Sequence, residues 1–195
     1  MTELLKGLVP ELDTEFQAHL SPGLEKLFEK RYKTVSAAKH YKMKLDPDYL
    51  RKHSTKILHV HDSEKTLRLV KLSISDIPAL MELYEKSYPG NWFEPEMLPI
   101  NQYYGIYAKI DSGKPKLICA AGTHVYSLEY RAAALGNITT LPEYRGRNYA
   151  AAVTAGLCMS LLNQNIRIGL NVKKDNCAAI NCYKKLGFAI CAEYG

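Results

Sequence analysis

The sequence predicts a mixed α/β fold, in which a mostly antiparallel sheet is flanked by helices. Two observations indicate this fold class. From Leu67 onward, segments of period-two alternation and apolar helical segments follow one another in the order β-α-β-β-β-α-β-α-β. The chain has 195 residues and is 47% hydrophobic, which is enough for one substantial core and too apolar for a disordered chain.

The first 53 residues are predicted to form a helical extension, and residues 54–195 the main domain. Ser21 and Pro22 are a favourable helix start, and apolar residues with helical spacing follow them: Leu24, Leu27, Phe28, Tyr32 and Val35. Asp46 and Pro47 begin a second short helix. We expect the apolar stripe of these helices to pack on the main domain or on a partner.

Charge and cysteine content indicate a soluble protein without a dedicated nucleic-acid arm. The net charge of +6 divides into +3 for residues 1–60 (11 Lys/Arg minus 8 Asp/Glu) and +3 for the remainder. The lysines of residues 26–44 interleave with apolar residues, as on an amphipathic surface helix. Five cysteines without a C-x-x-C pair are expected to be reduced thiols. Neither a signal peptide nor a membrane span is indicated, so we expect a cytoplasmic protein.

The strands of the main domain are read from alternation and from turn residues. Residues 55–61 and 66–72 are predicted strands, and Ser75 caps the helix that follows them. The sequence then predicts a hairpin and three further strands, with a helix between each consecutive pair of those three: strands 103–110, 116–128, 132–141, 166–172 and 188–195, and helices at about 146–163 and 176–186.

Two side-chain groups are weak candidates for a site. Aromatic residues at 92–104 are typical of an acceptor pocket, and are equally typical of core: Trp92, Phe93, Tyr103 and Tyr104. His59 and His61 share a predicted strand face with Asp62 beside them. Two histidines without a matched third ligand do not make a metal site, so we expect no metal.

The stretch "LPEYRGRNYA" is the strongest candidate site. It places backbone N–H groups at the start of a helix with Arg145 and Arg147 beside them, and Gly146 allows close approach of the backbone. Such a helix start is suited to a phosphate or pyrophosphate. The sequence lacks G-x-x-x-x-G-K-[ST] and G-x-G-x-x-G, so this is a different phosphate-binding loop.

Together with a second motif, this loop resembles the GNAT acetyltransferase superfamily. The family's R/Q-x-x-G-x-G/A loop corresponds to Arg145, Gly146, Arg147, Asn148, Tyr149 and Ala150, and its N-x-x-A-x-x-x-Y-x-x-x-G-F signature is similar to Asn176–Phe188, which includes Tyr183. The resemblance covers roughly residues 66–195. Asn148 departs from the family's glycine, although asparagine tolerates unusual backbone angles better than most residues do.

The resemblance implies an acyl-CoA-dependent N-acetyltransferase. Acetyl-CoA would be the acyl-donor cosubstrate, bound through residues 145–150, Asn176, Tyr183 and the strand end Ile138, Thr139 and Thr140. In the family that strand splays from the next one and pairs with the pantetheine arm. One of its N–H groups polarises the thioester carbonyl, and Tyr183 matches the tyrosine that protonates the departing thiolate.

The acceptor and the general base stay open at this level. The resemblance implies that the acceptor is a primary amine of a small molecule or a protein, and Glu129 and His124 are both candidates for the base that deprotonates it. Glu129 is equally typical of a solvated hairpin, and His124 of a core histidine. A non-catalytic CoA-binding module of the same fold is the alternative function. Neither a nucleic acid nor a membrane is expected as a partner, and the choice between monomer and homodimer stays open.

The end of the chain departs from the family pattern. GNAT domains usually carry one strand more than the predicted last strand at 188–195. We expect another segment to fill that place, for instance residues 55–61 or a strand of a second subunit, because an open strand edge promotes aggregation.

Overall fold

The computed structural model describes residues 2–16, 18, 20, 23–33, 38–59, 66–109 and 113–195. Within these ranges the strands are β1 (His40–Leu45), β2 (Thr66–Lys71), β3 (Tyr103–Lys109), β4 (Lys116–Ser127), β5 (Ala132–Thr140), β6 (Arg167–Lys173) and β7 (Phe188–Tyr194). The helices are α1 (Thr2–Leu8), α2 (Pro47–Leu58), α3 (Ile77–Ser87), α4 (Met97–Ile100), α5 (Tyr149–Leu162) and α6 (Cys177–Lys185). None of these described helices is long and apolar enough to span a bilayer.

The strands form one sheet in the order β2-β3-β4-β5-β6-β1-β7. Neighbouring strands are antiparallel except β5 and β6, which are parallel because α5 connects them as a crossover. The predicted mixed, mostly antiparallel sheet with flanking helices is therefore confirmed. The predicted order of elements from β2 to β7 is also confirmed, with the short helix α4 added before β3.

Strand β1 fills the place that the predicted last strand leaves open. It pairs with β6 on one side and with β7 on the other, antiparallel to both. The place is filled as expected, but both candidates named for it were wrong, since β1 comes from the stretch 26–44 that was interpreted as a helix. Its period-two alternation, with Met43 and Leu45 buried and Lys42 and Lys44 exposed, is the signal of a half-buried strand.

Helix α2 corrects the strand predicted at residues 55–61. Asp46 accepts hydrogen bonds from the backbone N–H groups of Asp48 and Tyr49 at 3.0 and 3.1 Å, and Pro47 is the first helical residue. The helix then continues to Leu58, because no residue between Pro47 and Leu58 stops it, so the expected boundary at 53/54 falls inside α2. Residues 60 and 61 lie outside the described ranges.

The predicted helix after Ser21 is also wrong where the structure describes it. Glu25–Leu27 form a single 3-10 turn, and turns continue through Arg31. Ser21, Pro22 and Val35 lie outside the described residues. The segment is held by local contacts, in which Phe16 packs against Phe28 and Tyr32 at 5.5 and 4.8 Å between ring centroids.

The two faces of the sheet are covered differently. Helix α5 packs across β3–β6 on one face, with α2 and α6 beside it, and its buried side chains include Val153, Leu157 and Leu161. Helix α3 packs on β4 and β5 from the opposite face, which is why β4 is buried on both faces from Leu117 to Thr123. On the α3 side of β6 and β1 the side chains are exposed.

Candidate functional site

The candidate site begins where β5 and β6 separate. The two strands pair only from Ala132 with Arg167 to Leu135 with Leu170. Beyond Leu135, residues Gly136–Thr140 of β5 continue to pair with β4 but make no ladder with β6 in the described chain. A V-shaped gap therefore opens between β5 and β6, as the resemblance implied. Its β5 wall contains Ile138, Thr139 and Thr140.

A β-bulge at Asn137 turns β5 at the start of this gap. Asn137 has a φ of 52°, and its carbonyl accepts a hydrogen bond of 2.8 Å from the Tyr84 hydroxyl. Its side-chain amide donates to the Tyr103 hydroxyl at 3.1 Å. Burial raises the pKa of both tyrosines, so both hydroxyls stay protonated at neutral pH. Such a bulge interrupts the ladder locally and bends the strand at the point where the gap begins.

The sequence analysis did not identify this support. The Gly136-Asn137 dipeptide inside a strand is a signal for a bulge, and it could have been read as one. Tyr103 was named only as a pocket or core aromatic. In the structure it packs over Gly122, where a Cβ would collide with its ring. The glycine thus makes room for the tyrosine that holds the bulge.

The loop from Arg145 to Asn148 joins β5 to α5 at the open end of the gap. Gly146 has a φ of 78°, and Asn148 has a φ of 61° and a ψ of 13°, so both lie in the left-handed region. Glycine adopts this conformation freely, and asparagine tolerates it better than most other residues do. Residues 145–148 are exposed, and the first N–H groups of α5 follow directly. Tyr149 is buried and Ala150 half-buried, which anchors the helix start.

Arg145 fixes this loop to the end of α3. Its Nε donates to the Thr140 carbonyl at 3.1 Å, and its Nη2 donates to the Ser87 carbonyl at 3.2 Å. The Thr139 hydroxyl donates to the Ser87 hydroxyl at 3.0 Å. The guanidinium therefore holds β5, the loop and α3 together, a contribution that the sequence analysis did not foresee. Arg147 is exposed on the same loop.

Helix α6 positions Asn176 and Tyr183. The Asn176 side chain accepts a hydrogen bond of 3.1 Å from the Ala179 backbone, so it caps the helix. Tyr183 is buried, with its ring 5.9 Å from that of Phe188. Burial, reinforced by Cys182, Tyr88 and Cys158, raises its pKa above the ordinary value, so its hydroxyl keeps its proton at neutral pH. Its hydroxyl has no hydrogen-bond partner among the described residues.

The two candidate bases lie at different distances from the gap. The imidazole of His124 lies against the Cα of Gly136, where the gap begins, because a Cβ there would collide with its ring. Desolvation lowers the pKa of His124, which keeps it neutral at pH 7. Glu129 is exposed in the turn before β5. Ala132, the first residue of β5, is itself four residues from Gly136, which is roughly 13 Å along the strand. Of the two, only His124 lies at the gap.

The structure places the four aromatic residues in different environments and describes only part of the histidine group. Phe93 is core, with its ring 5.2 Å from that of Tyr84 and 5.3 Å from that of Tyr103, whereas Trp92 is 68% exposed. Tyr104 is half-buried against the core. Of the histidine pair, His61 and its neighbour Asp62 lie outside the described residues. The described residues contain no group of three His, Cys, Asp or Glu side chains placed to hold a metal ion.

Comparison with known proteins assigns this fold and site to a family. Residues 77–188, from α3 to the first residue of β7, match the model of the acetyltransferase (GNAT) family. Because the match covers more than half of the chain, the chain belongs to this family. Its matched part contains the gap, the loop before α5 and Tyr183. No curated protein matches the chain.

Solved structures share the fold at low identity. A GNAT-family protein from Novosphingobium aromaticivorans DSM 12444 is 23% identical with a TM-score of 0.62, and the match covers 83% of this chain and 64% of that one. A GCN5-related N-acetyltransferase-like protein from Streptococcus suis 89/1591 is 17% identical with a TM-score of 0.63, over 89% and 66%. The chain thus spans less than two thirds of the length of either protein.

A smaller relative matches a shorter region. The ribosomal-protein-S18-alanine N-acetyltransferase from Escherichia coli is 21% identical with a TM-score of 0.51, and the match covers 63% of this chain and 77% of that one. At these identities the structural likeness supports the fold, and the reaction must be argued from the chain's own residues.

Proposed function

We propose that the protein transfers an acetyl group from acetyl-CoA to a primary amine of a small molecule or protein, by direct attack of the amine. The observation that carries this proposal is the gap between β5 and β6, which opens next to the left-handed loop at the start of α5. The gap offers backbone groups to an extended ligand, and the loop offers N–H groups to an anion at one end of it.

The residues present fit a coenzyme A thioester. Its pyrophosphate would take the N–H groups of the loop and of the first turn of α5, with Arg147 beside them. Its pantetheine amides would pair with Gly136–Thr140, which pair with no strand on the β6 side in the part of the chain that the structure describes. The thioester supplies the activated acetyl group, and an N–H group of β5 after the bulge would polarise its carbonyl.

The proton-transfer roles follow from two opposite pKa shifts. Burial raises the pKa of Tyr183, so its hydroxyl is held protonated and can donate to a departing thiolate. Desolvation lowers the pKa of His124, so its imidazole is neutral and can accept a proton from the incoming ammonium, directly or through a water. Environments that push two groups in opposite directions are typical of an acid and base pair. We therefore assign Tyr183 as the acid and His124 as the base.

Calorimetric titration with acetyl-CoA, compared with CoA and ATP, tests the ligand. We expect micromolar binding of acetyl-CoA and at least about tenfold weaker binding in Gly146→Ala, because a side chain at a φ of 78° distorts the loop. Gly23→Ala is the matched control, since Gly23 also has a positive φ and open space around it. Equal affinity of the two variants for acetyl-CoA would mean that the loop does not bind this ligand.

Turnover then separates the enzyme from a CoA-binding module. Tyr183→Phe retains the ring and removes the hydroxyl, so we expect unchanged acetyl-CoA affinity and a loss of about 10²-fold or more in kcat. Tight binding of acetyl-CoA with no acetylation of any amine in a panel of small amines and peptides would support the binding module instead.

A further inference from the structure

One face of the sheet beyond the gap is open and basic. We call it the basic sheet face, and its exposed side chains come from β1 and β6: Lys42, Lys44, Arg167, Asn171 and Lys173. Alternation along each strand puts them on the side opposite to the buried Met43, Ile168 and Leu170. The register confirms this, because Lys42 pairs with Asn171 and Lys44 with Gly169.

The charges of this face are not neutralised within the described protein. Lys42, Lys44 and Lys173 have no carboxylate within ion-pair distance among the residues that the structure describes. The nearby Glu193 is instead paired with Lys174 at 3.0 Å. Arg167 donates to the Tyr130 carbonyl at 3.2 Å, which orients its guanidinium and leaves its charge uncompensated. Four positive charges therefore share one solvent-facing surface.

The basic sheet face continues to the start of the gap without a large side chain between them. Lys44 pairs with Gly169, and Gly169 pairs with Ala134 of β5. The imidazole of His124 lies over Gly136, two residues further along β5, on the same face. Two strand spacings and two residues separate Lys44 from Gly136, which is roughly 12 Å. A ligand lying on the basic sheet face can thus contact the lysines and His124 at the same time.

We infer that the basic sheet face binds an acidic, extended polypeptide segment adjoining the amine that is acetylated. This rests on the proposed function, and it names the class of acceptor. The face spans two strand spacings from β5 to β1, roughly 10 Å, and its side chains are exposed, which suits an extended chain better than a compact small molecule. Nucleobase amines are poor nucleophiles because their lone pairs are delocalised into the ring, which disfavours a nucleic acid as the acceptor.

The geometry sets the spacing between the amine and the acidic residues. An extended peptide advances about 3.3 Å per residue, so roughly 12 Å corresponds to three or four residues. Acidic side chains at that distance from the amine meet Lys44 or Lys42, which lies two residues along β1 from Lys44 and pairs with Asn171. The attraction acts mainly on acceptor binding, because neither lysine lies at the gap itself.

The test uses peptides with a single free α-amine that differ only in whether the later positions carry glutamate, serine or lysine. Their binding is measured by fluorescence anisotropy and their acetylation by CoA release. We expect the glutamate peptide to bind about tenfold or more tightly than the serine peptide, and to lose affinity as salt rises. In the variant Lys42→Glu/Lys44→Glu we expect this preference to disappear, with KM raised about tenfold and kcat unchanged.

The matched control is Lys52→Glu/Lys56→Glu, which makes the same change of charge on exposed positions of α2. We expect it to change KM by less than about twofold. Equal weakening in both double variants, or no preference for the glutamate peptide, would overturn the inference. So would tighter binding of an oligonucleotide than of the glutamate peptide to the same lysines. If the Lys42/Lys44 variant does not fold, the salt dependence of the wild-type preference decides.

Failure of the inference and failure of the proposed function give different results. If all amines are acetylated equally, transfer from acetyl-CoA stands and the acidic acceptor is wrong. If acetyl-CoA neither binds nor reacts, the proposed function fails, and with it the acceptor role of this face, whatever the peptide affinity.

Discussion

The two halves of the sheet are built from contacts of very different range. In β2–β5, strands that are neighbours in the sheet follow one another in the chain, and β4 is buried on both faces. In β6–β1–β7, the middle strand comes from the other end of the chain, so that His40 pairs with both Lys173 and Tyr194. In β6 and β1 only one face is buried, and in β7 only Phe188 is.

The two halves of the sheet supply different parts of the candidate site. The β2–β5 half carries the bulge at Asn137, Tyr103 and His124, and Tyr84 of α3 also holds the bulge. The β6–β1–β7 half supplies the second wall of the gap and the basic sheet face. The candidate site lies where the halves meet, after Leu135, so its shape depends on a long-range strand as well as on local motifs.

The largest effect is expected from a core substitution in β1. Met43→Ala removes a side chain that is 0% exposed, and we expect it to lower the free energy of unfolding by about 2–5 kcal/mol. Met81→Ala is the matched control, since Met81 is 45% exposed on α3, and its cost should stay near ~0.5 kcal/mol or less. Urea denaturation followed by circular dichroism measures both.

Hydrogen exchange would show whether the two halves unfold together. If they form one cooperative unit, Met43→Ala speeds exchange of the slowest amides in β3 and β4 as much as in β1 and β7. Faster exchange confined to β1, β6 and β7 would mean that the long-range half opens by itself, and would contradict a single cooperative core.

The same contrast explains what could be predicted from the sequence. Strands β2–β7 and helices α3, α5 and α6 were predictable, because alternation, turn residues and helix starts are local signals. The loop at Arg145–Ala150 was recognisable partly because Gly146 and Asn148 are residue types that accept a positive φ, which both adopt in the structure. Strand β1 was missed because its six residues lie in a basic stretch and its partners are distant in sequence. No local pattern specifies such a pairing.

The assignment of Glu129 as a candidate base shows a related limit. Both Glu129 and His124 lie near the hairpin between β4 and β5, and sequence distance alone does not rank them. The β4–β5 ladder shifts register between Thr123 and Val125, which leaves His124 beside Gly136, and the β5–β6 ladder ends at Leu135. These two properties of strand register decide the ranking.

A smaller effect is expected at the two ends of α5, which packs on strands of both halves. Asn148 and Asn165 have φ values of 61° and 57° and are both exposed. Replacing either by alanine should cost about 1 kcal/mol of stability, because alanine tolerates the left-handed region less well. Only Asn148→Ala should also weaken acetyl-CoA binding in a calorimetric titration. Equal loss of affinity in Asn165→Ala would mean that general destabilisation, and not the loop, controls binding.

The smallest effect on stability, and the sharpest on mechanism, concerns His124, which lies where the halves separate. Its pKa is lowered in the folded state, so below about pH 6.5 the unfolded chain binds a proton that the folded chain resists. Stability therefore falls as pH drops below that value, and His124→Gln should remove this part of the slope. The proposed base role of His124 also predicts that kcat/KM falls as pH drops through its lowered pKa. We expect His124→Gln to abolish this acid limb of the pH profile together with most activity. Glu129→Gln should retain both the limb and the activity; if it instead loses them while His124→Gln keeps them, the base is Glu129 and the hairpin turn must move toward the gap.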